Sequence, residues 1–201
     1  MSKYLEAFRD CMQVIADAVE AEKDPHRKAI LENFLRHAGL EFSGQDQKIL
    51  TPDMTVANPI YHVKWGPNFT TYEGMDAVQG YYDAVNQVVC TFQDHTCWVN
   101  DWGIASYSTF VRFTTGNVLA AEGEEIQADD TQYAQHLPMA MFWKYDENAK
   151  LIGEDVYMLT GPTHHKLTDD EKFNVEELHK VARSFLKEPT LSSVNTAATS
   201  R

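Results

Sequence analysis

Cysteine is scarce in this 201-residue chain. Cys11, Cys90 and Cys97 are an odd number, and none forms a Cys-x-x-Cys pair. That excludes a disulfide framework and predicts reduced thiols in a cytoplasmic protein. Basic residues are also few: 17 Lys and Arg stand against 30 Asp and Glu, a formal net charge of −13. Such a balance argues against nucleic acid and anionic membrane as main partners. No apolar run is long enough to span a bilayer; the densest patch is only Pro138 to Trp143. Met1 to Glu6 lack the apolar stretch of a secretory signal, which again predicts a cytoplasmic location. Gly-x-Gly-x-x-Gly, the P-loop and Gly-x-Ser-x-Gly do not occur, so nucleotide-cofactor and serine-hydrolase chemistry fall away. His164-His165 followed by Asp169-Asp170 is rich in ligand types but matches no metal spacing. No metal and no cofactor are expected.

What is present reads as one domain with terminal extensions, long enough to bury a core. The first half is helical. Leu5, Phe8, Met12, Ile15 and Val19 recur at steps of three and four. Asp24-Pro25 opens a second helix carrying Ile30, Phe34 and Ala38, with Gly39 as its expected stop. A strand is expected from Val56 to Trp65, closed by Gly66-Pro67-Asn68. Gly74 then precedes a third helix built on Val78, Tyr81, Tyr82 and Val85. Residues 89–99, 104–115, 132–145 and 151–159 are rich in Val, Thr, Tyr, Phe and Trp and read as strands. Breaks fall at Asn100 to Gly103, at Thr115-Gly116-Asn117 and at the tight Asp146-Glu147-Asn148-Ala149 connection. Thr168-Asp169-Asp170-Glu171 is a capping box for a last helix with Phe173, Leu178, Val181, Phe185 and Leu186 on one face. Helices followed by consecutive antiparallel strands predict an α+β fold.

Three stretches carry a resemblance. They are Leu50 to Val56 leading into the first strand, Tyr72 to Val78 opening the third helix, and Met141 to Tyr157 as a closing hairpin. Together they resemble the SnoaL-like branch of the nuclear-transport-factor-2-like superfamily, over about residues 28–160. Ala149 stands where that pattern usually has glycine. The resemblance implies a cone-shaped half-barrel, a curved antiparallel sheet wrapped around three helices, with an added C-terminal helix. The expected division is a cone domain over 1–163, a helical extension over 164–189 and a disordered tail over 190–201. Family members include polyketide cyclases, epoxide hydrolases, dehydratases, steroid isomerases and cofactor-free lyases acting on lignin-derived diarylpropanes; others only bind. Fold therefore does not settle function.

A cone of this kind needs an apolar wall with a few convergent polar groups. Aromatic residues on the expected lining elements include Trp65, Tyr82, Trp98, Trp102 and Phe142. The densest polar cluster runs from Asn58 to Trp65. In a regular strand Asn58, His62 and Lys64 share one face and Tyr61, Val63 and Trp65 the other. His62 or Lys64 is a candidate base and Tyr61 a candidate oxyanion donor. They face one pocket only if a bulge near Pro59 or Gly66 re-aims a side chain, and that irregular strand is the expectation. The solvated face of an edge strand is the competing reading of His62 and Lys64. His136 and one of Glu154 and Asp155 form a second candidate set; the two acids are adjacent, so only one points inward. An acid buried there has a raised pKa. Arg112 either clamps an anionic oxygen or faces outward.

Two functions follow. One is a cofactor-independent acid–base enzyme, a lyase, cyclase or isomerase, acting on a hydrophobic aromatic small molecule. The other is a non-catalytic binding or dimerisation module. A homodimer is expected through the convex sheet face or the added helix.

Overall fold

The computed structural model describes residues 1–85 and 88–186. The chain opens with α1 (Lys3–Ala21) and α2 (Pro25–Glu41). The apolar stripe of α1 is buried as its spacing requires: Leu5, Phe8, Met12, Ile15 and Val19. Asp24 caps α2 by accepting from the His26 and Arg27 N–H groups, with Pro25 in the first turn. Gly39 does not stop this helix. It lies inside α2, and a Cβ there would come within 2.6 Å of the Leu186 side chain. The glycine makes room for the C-terminal segment rather than for a turn.

A hairpin of β1 (Ile60–Trp65) and β2 (Asn68–Glu73) follows, then α3 (Met75–Val85). The hydrophobic pattern does not announce β2, because all its residues but Tyr72 are exposed. The next elements are β3 (Cys90–Asn100), β4 (Gly103–Thr115), α4 (Gly116–Ala121), β5 (Gln132–Tyr145) and β6 (Leu151–Met158). The short helix α4 replaces the simple break expected after Thr115. The β5–β6 turn holds Ala149 at a φ of 55°, in the left-handed region where the family pattern has glycine.

The end of the chain corrects the reading of one final helix. β7 (Thr163–Lys166) joins the sheet, and the Thr168 N–H donates to Glu171 Oε2 at 2.9 Å over a three-residue 3-10 turn. The chain then extends so that Phe173 packs edge-on against Phe113, with centroids 4.8 Å apart. Only then does α5 (Val175–Arg183) begin, with its own capping pair, Asn174 and Glu177. Its buried Leu178 and Ala182 lie on the side that meets α1 and α2. The expected tail over 190–201 lies outside the described residues.

The described strands form one curved, unclosed sheet in the order β2-β1-β6-β5-β4-β3, with β7 on the first half of β5. Every pairing is antiparallel except β1 with β6, which is parallel, so the sheet is not purely antiparallel. The long chain between β1 and β6 supplies the crossover that a parallel pair needs. Helices α1, α2 and α3 lie against the concave face and enclose, with the sheet, a cavity of about 300 Å³.

Candidate active site

Strand parity decides which side chains see the cavity. On β6 Glu154 and Val156 point to it; Asp155 points away. On β5 the inward residues are Met139, Met141 and Trp143, and on β4 Phe110 and Arg112. Val63 and Trp65 reach it from β1. From α2, one helical face contributes Phe34, His37, Ala38 and Glu41 at steps of three and four. Apolar side chains such as Phe8, Met12, Ile15 and Phe92 make up the rest of the wall.

The polar groups converge at one place. Tyr82 donates its hydroxyl proton to Glu154 Oε1 at 3.1 Å. A hydroxyl has one proton to give. The Tyr82 oxygen therefore accepts from Tyr61 at 2.8 Å and from His37 Nε2 at 3.0 Å. His37 Nε2 also lies 3.4 Å from both Glu154 Oε1 and Glu41 Oε2. Burial pushes the Glu154 carboxyl up to about 7, with Glu41 adding to the rise and His37 opposing it. Burial alone would depress the His37 imidazolium, but its hydrogen bond to Glu41 and the charges of Glu154 and Glu41 outweigh that and raise its pKa. Tyr61, Tyr81 and Tyr82 are driven well above the ordinary phenol value by burial and by the Glu154 charge, so they stay protonated donors. A carboxyl that titrates near neutrality, beside a histidine and in an apolar cavity, can accept a proton from a bound molecule and return it.

Several candidates read from the sequence lie elsewhere. β1 pairs with β2 without interruption from Ile60 to Trp65, so the expected bulge is not found. Tyr61 and Tyr82 are fully buried behind the cavity wall and act on Glu154 through the hydrogen-bond chain. His62 and Lys64 are on the convex face. There His62 Nδ1 meets Asp155 Oδ1 at 2.7 Å and Lys144 Nζ meets the same oxygen at 2.8 Å. Partial burial works against the Asp155 charge, but the Lys144 and His62 bonds hold its carboxyl below the usual range. Asn58 is exposed before β1. His136 borders a separate groove with Lys3, Tyr4 and His165; burial and the His165 and Lys3 charges lower its pKa. Arg112 does line the cavity, but its guanidinium is engaged by Glu122, one bond being 2.9 Å.

Trp98, Trp102 and Phe142 are also outside, on or beside the convex face. Phe142 has the opposite parity to Trp143. Trp98 is moved by a register shift in β3 between Gln93 and Thr96, where Asp94 adopts a φ of 53°. Before this bulge Phe92 points inward; after it the inward residues are odd-numbered, His95 and Cys97. His37 and Glu41 were not among the candidates. Their signal was a histidine and a glutamate four residues apart on the face of α2 that also carries Phe34.

No protein-family model matches the chain, and no curated protein matches it. Solved structures do match. One, provisionally named a polyketide cyclase, from Xanthomonas campestris pv. campestris, aligns with a TM-score of 0.51 at 12% identity, over 78% of this chain and 98% of that one. A provisionally named SnoaL-like polyketide cyclase from Jannaschia sp. CCS1 aligns with a TM-score of 0.45 at 11% identity, over 68% of this chain and 89% of that one. The S. rosetta CaMKII hub aligns with a TM-score of 0.45 at 16% identity, over 69% of this chain and all of that one. The first of these alignments and the curved, unclosed sheet packed on its helices give the fold as the cone that the sequence resemblance implied.

Proposed function

We propose that this chain is a cofactor-independent acid–base enzyme of the cyclase, isomerase or lyase type. Its substrate is a hydrophobic aromatic small molecule, such as a polyketide or a lignin-derived diarylpropane. The observation that carries this reading is Glu154: a buried carboxyl raised to about 7, opening onto an apolar cavity and held by Tyr82 and His37. Ionised Glu154 takes a proton from a carbon next to a carbonyl, and the charge moves to the carbonyl oxygen. Tyr81, a cavity-lining phenol kept protonated by burial, is the proposed donor to that oxygen. Protonated His37 balances the Glu154 charge before transfer. Ring closure, dehydration and retro-aldol loss of a small carbonyl all begin from such a step.

The test is deuterium exchange into the α-position of 2-tetralone, a two-ring ketone, followed by proton NMR. Exchange is expected to rise with pH through about 7 and to vanish in Glu154→Gln. Tight binding with no exchange above buffer sinks the enzyme reading in favour of a binding module. Among the described residues, no three His, Cys, Asp or Glu side chains are grouped as metal ligands. Dialysis against EDTA is expected to leave exchange and Tm unchanged.

A homodimer belongs to the same reading. The convex face exposes Phe69, Trp98, Tyr107 and Phe142, a set of large rings of the kind that association covers. Light scattering is expected to give twice the 22.9 kDa chain mass, and Trp98→Asp to weaken the dimer. A monomer at micromolar concentration contradicts it.

A further inference from the structure

The mechanism above leaves His95 of the cavity wall unused. The β3 bulge turns His95 inward, on the strand farthest along the sheet from β1 and β2. Its ring stacks on Phe34 at 6.2 Å, 30° from parallel. Its Nε2 is buried with no hydrogen-bond partner in the protein. From α1 the cavity receives Phe8, Cys11, Met12 and Ile15, and the Cys11 thiol is spent on the Phe92 carbonyl. A buried imidazole nitrogen against an apolar wall costs stability unless something bonds to it. A bulge that spends a left-handed Asp94 to aim it there is a feature that shapes a site.

We propose that His95 Nε2 is a specificity contact that binds a hydroxyl on the end of the ligand remote from Glu154. The inference rests on the reading of this cavity as a small-molecule site. Glu154 is on β6 and His95 on β3, three strand steps away in the sheet order. At about 4.8 Å a step that is about 14 Å along the arc, and less across the cone. The cross-strand line from Glu154 runs through Trp143 and Ile104 to Val99, and His95 precedes Val99 on β3. The two groups are therefore offset along the strands as well as across them, and the ligand that touches both is taken to be two linked or fused rings. Burial lowers the His95 pKa to about 4, so the imidazole is neutral and offers no charge to an anion. Glu41 and Glu154 on the same cavity repel one, and the Arg112 guanidinium there is already paired with Glu122. A phenolic hydroxyl suits either imidazole tautomer, since it both donates and accepts. The ligand class is therefore an uncharged two-ring or larger aromatic molecule with a terminal hydroxyl.

Titration of tryptophan fluorescence with biphenyl and with 4-hydroxybiphenyl tests this, because Trp65 and Trp143 line the cavity. In the wild type the hydroxyl is expected to tighten binding about tenfold, one buried hydrogen bond's worth. His95→Phe keeps the stacking on Phe34 and is expected to bind both probes equally. His95→Gln is expected to recover part of the preference, and Glu154→Gln to keep it whole. A preference absent in the wild type, retained in His95→Phe or lost in Glu154→Gln overturns the assignment of His95 while leaving the cavity intact. Failure of both probes to bind the wild type overturns the ligand-site reading itself, and the His95 contact with it.

Discussion

Glu154 and Asp155 are neighbours on β6 and differ by one methylene, yet the sheet puts them in different media. Glu154 faces the cavity, almost wholly buried, among Tyr82, His37 and apolar side chains. Asp155 faces outward with one fifth of its side chain exposed, bonded to Lys144 and His62. Each acid has a histidine partner. Desolvation governs the first and raises it; in the second a smaller desolvation is outweighed by the bonds to Lys144 and His62, which lower it. At neutral pH Asp155 is a settled ion pair, whereas Glu154 stands near the midpoint of its titration. The residue types are nearly the same on both faces, so the medium decides which acid is poised for proton transfer.

The comparison breaks most visibly in catalysis. Glu154→Gln is expected to lower the exchange rate by roughly 10²–10⁴, the usual worth of a positioned base. Asp155→Asn is expected to leave it within about twofold, since a solvated ion pair on the far face does no proton transfer. Equal losses in the two variants, or a loss confined to Asp155→Asn, destroy the contrast. His37→Gln sharpens it. Without the imidazolium that now lowers the Glu154 pKa, the rising limb of the pH profile is expected to move to higher pH.

Stability against pH is the next largest effect. The folded Glu154 pKa of about 7 lies above its ordinary 4.5, and His37 is raised as well. At these two groups the native state binds more protons than the unfolded chain, so their contribution to stability falls as pH rises from about 5 past 7, while His95 and His136, both lowered by burial, contribute in the opposite direction. The Glu154 share is up to about 3 kcal/mol, from about 1.4 kcal/mol per pKa unit. Urea titrations are expected to show Glu154→Gln gaining on the wild type steadily across that window. A constant gap says that Glu154 titrates normally.

How much of this contrast could be read beforehand differs between fold and site. β3 to β6 are long and rich in β-branched and aromatic residues, and α1 carries an unbroken stripe, so both stand out from the sequence. β2 has no buried alternation to see. At the site, Glu154 and Asp155 were both in view, but choosing between them needs the register of β6 against Trp143 and Phe142. His37 and Glu41 sit on the apolar face of α2, where helical spacing alone looks like ordinary core. Trp98 was misplaced by the bulge, whose outward sign is only the polar run Gln93-Asp94-His95 inside an apolar strand. Parity is a local rule, and one inserted residue reverses it for the rest of the strand.

A smaller effect tests the wall behind the base. Tyr82→Phe removes the hydroxyl that donates to Glu154 and accepts from Tyr61 and His37. Leaving those buried groups short of a partner is expected to cost about 1–3 kcal/mol in urea unfolding. The Glu154 carboxylate also loses a donor, so the pH profile moves up. The matching change on the other face, His62→Ala, is expected to cost under about 1 kcal/mol. A Tyr82→Phe variant as stable as the wild type means that the tyrosine pair is packing and not a relay.

The smallest effect carries the opposite sign and closes the argument from the convex side. The Asp155 carboxyl is held below its ordinary 3.8 in the folded state, so its bonds to Lys144 and His62 favour the ionised form. That stability is fully present above the unfolded pKa near 4 and is lost as pH falls through the lower folded value. Lys144 and His62 each keep a third of their side chain in water, which screens the pairs. The gain is therefore about 1 kcal/mol or less. Asp155→Asn is expected to lower the urea midpoint slightly and by a constant amount from pH 5 to 8, with the gap closing below pH 4. Added salt is expected to narrow that gap while leaving the Glu154→Gln slope almost untouched, since the cavity acid is shielded from counterions. A salt-insensitive Asp155 gap, or one that grows with pH as the Glu154 gap does, places both acids in the same medium and removes the reason for assigning the chemistry to Glu154.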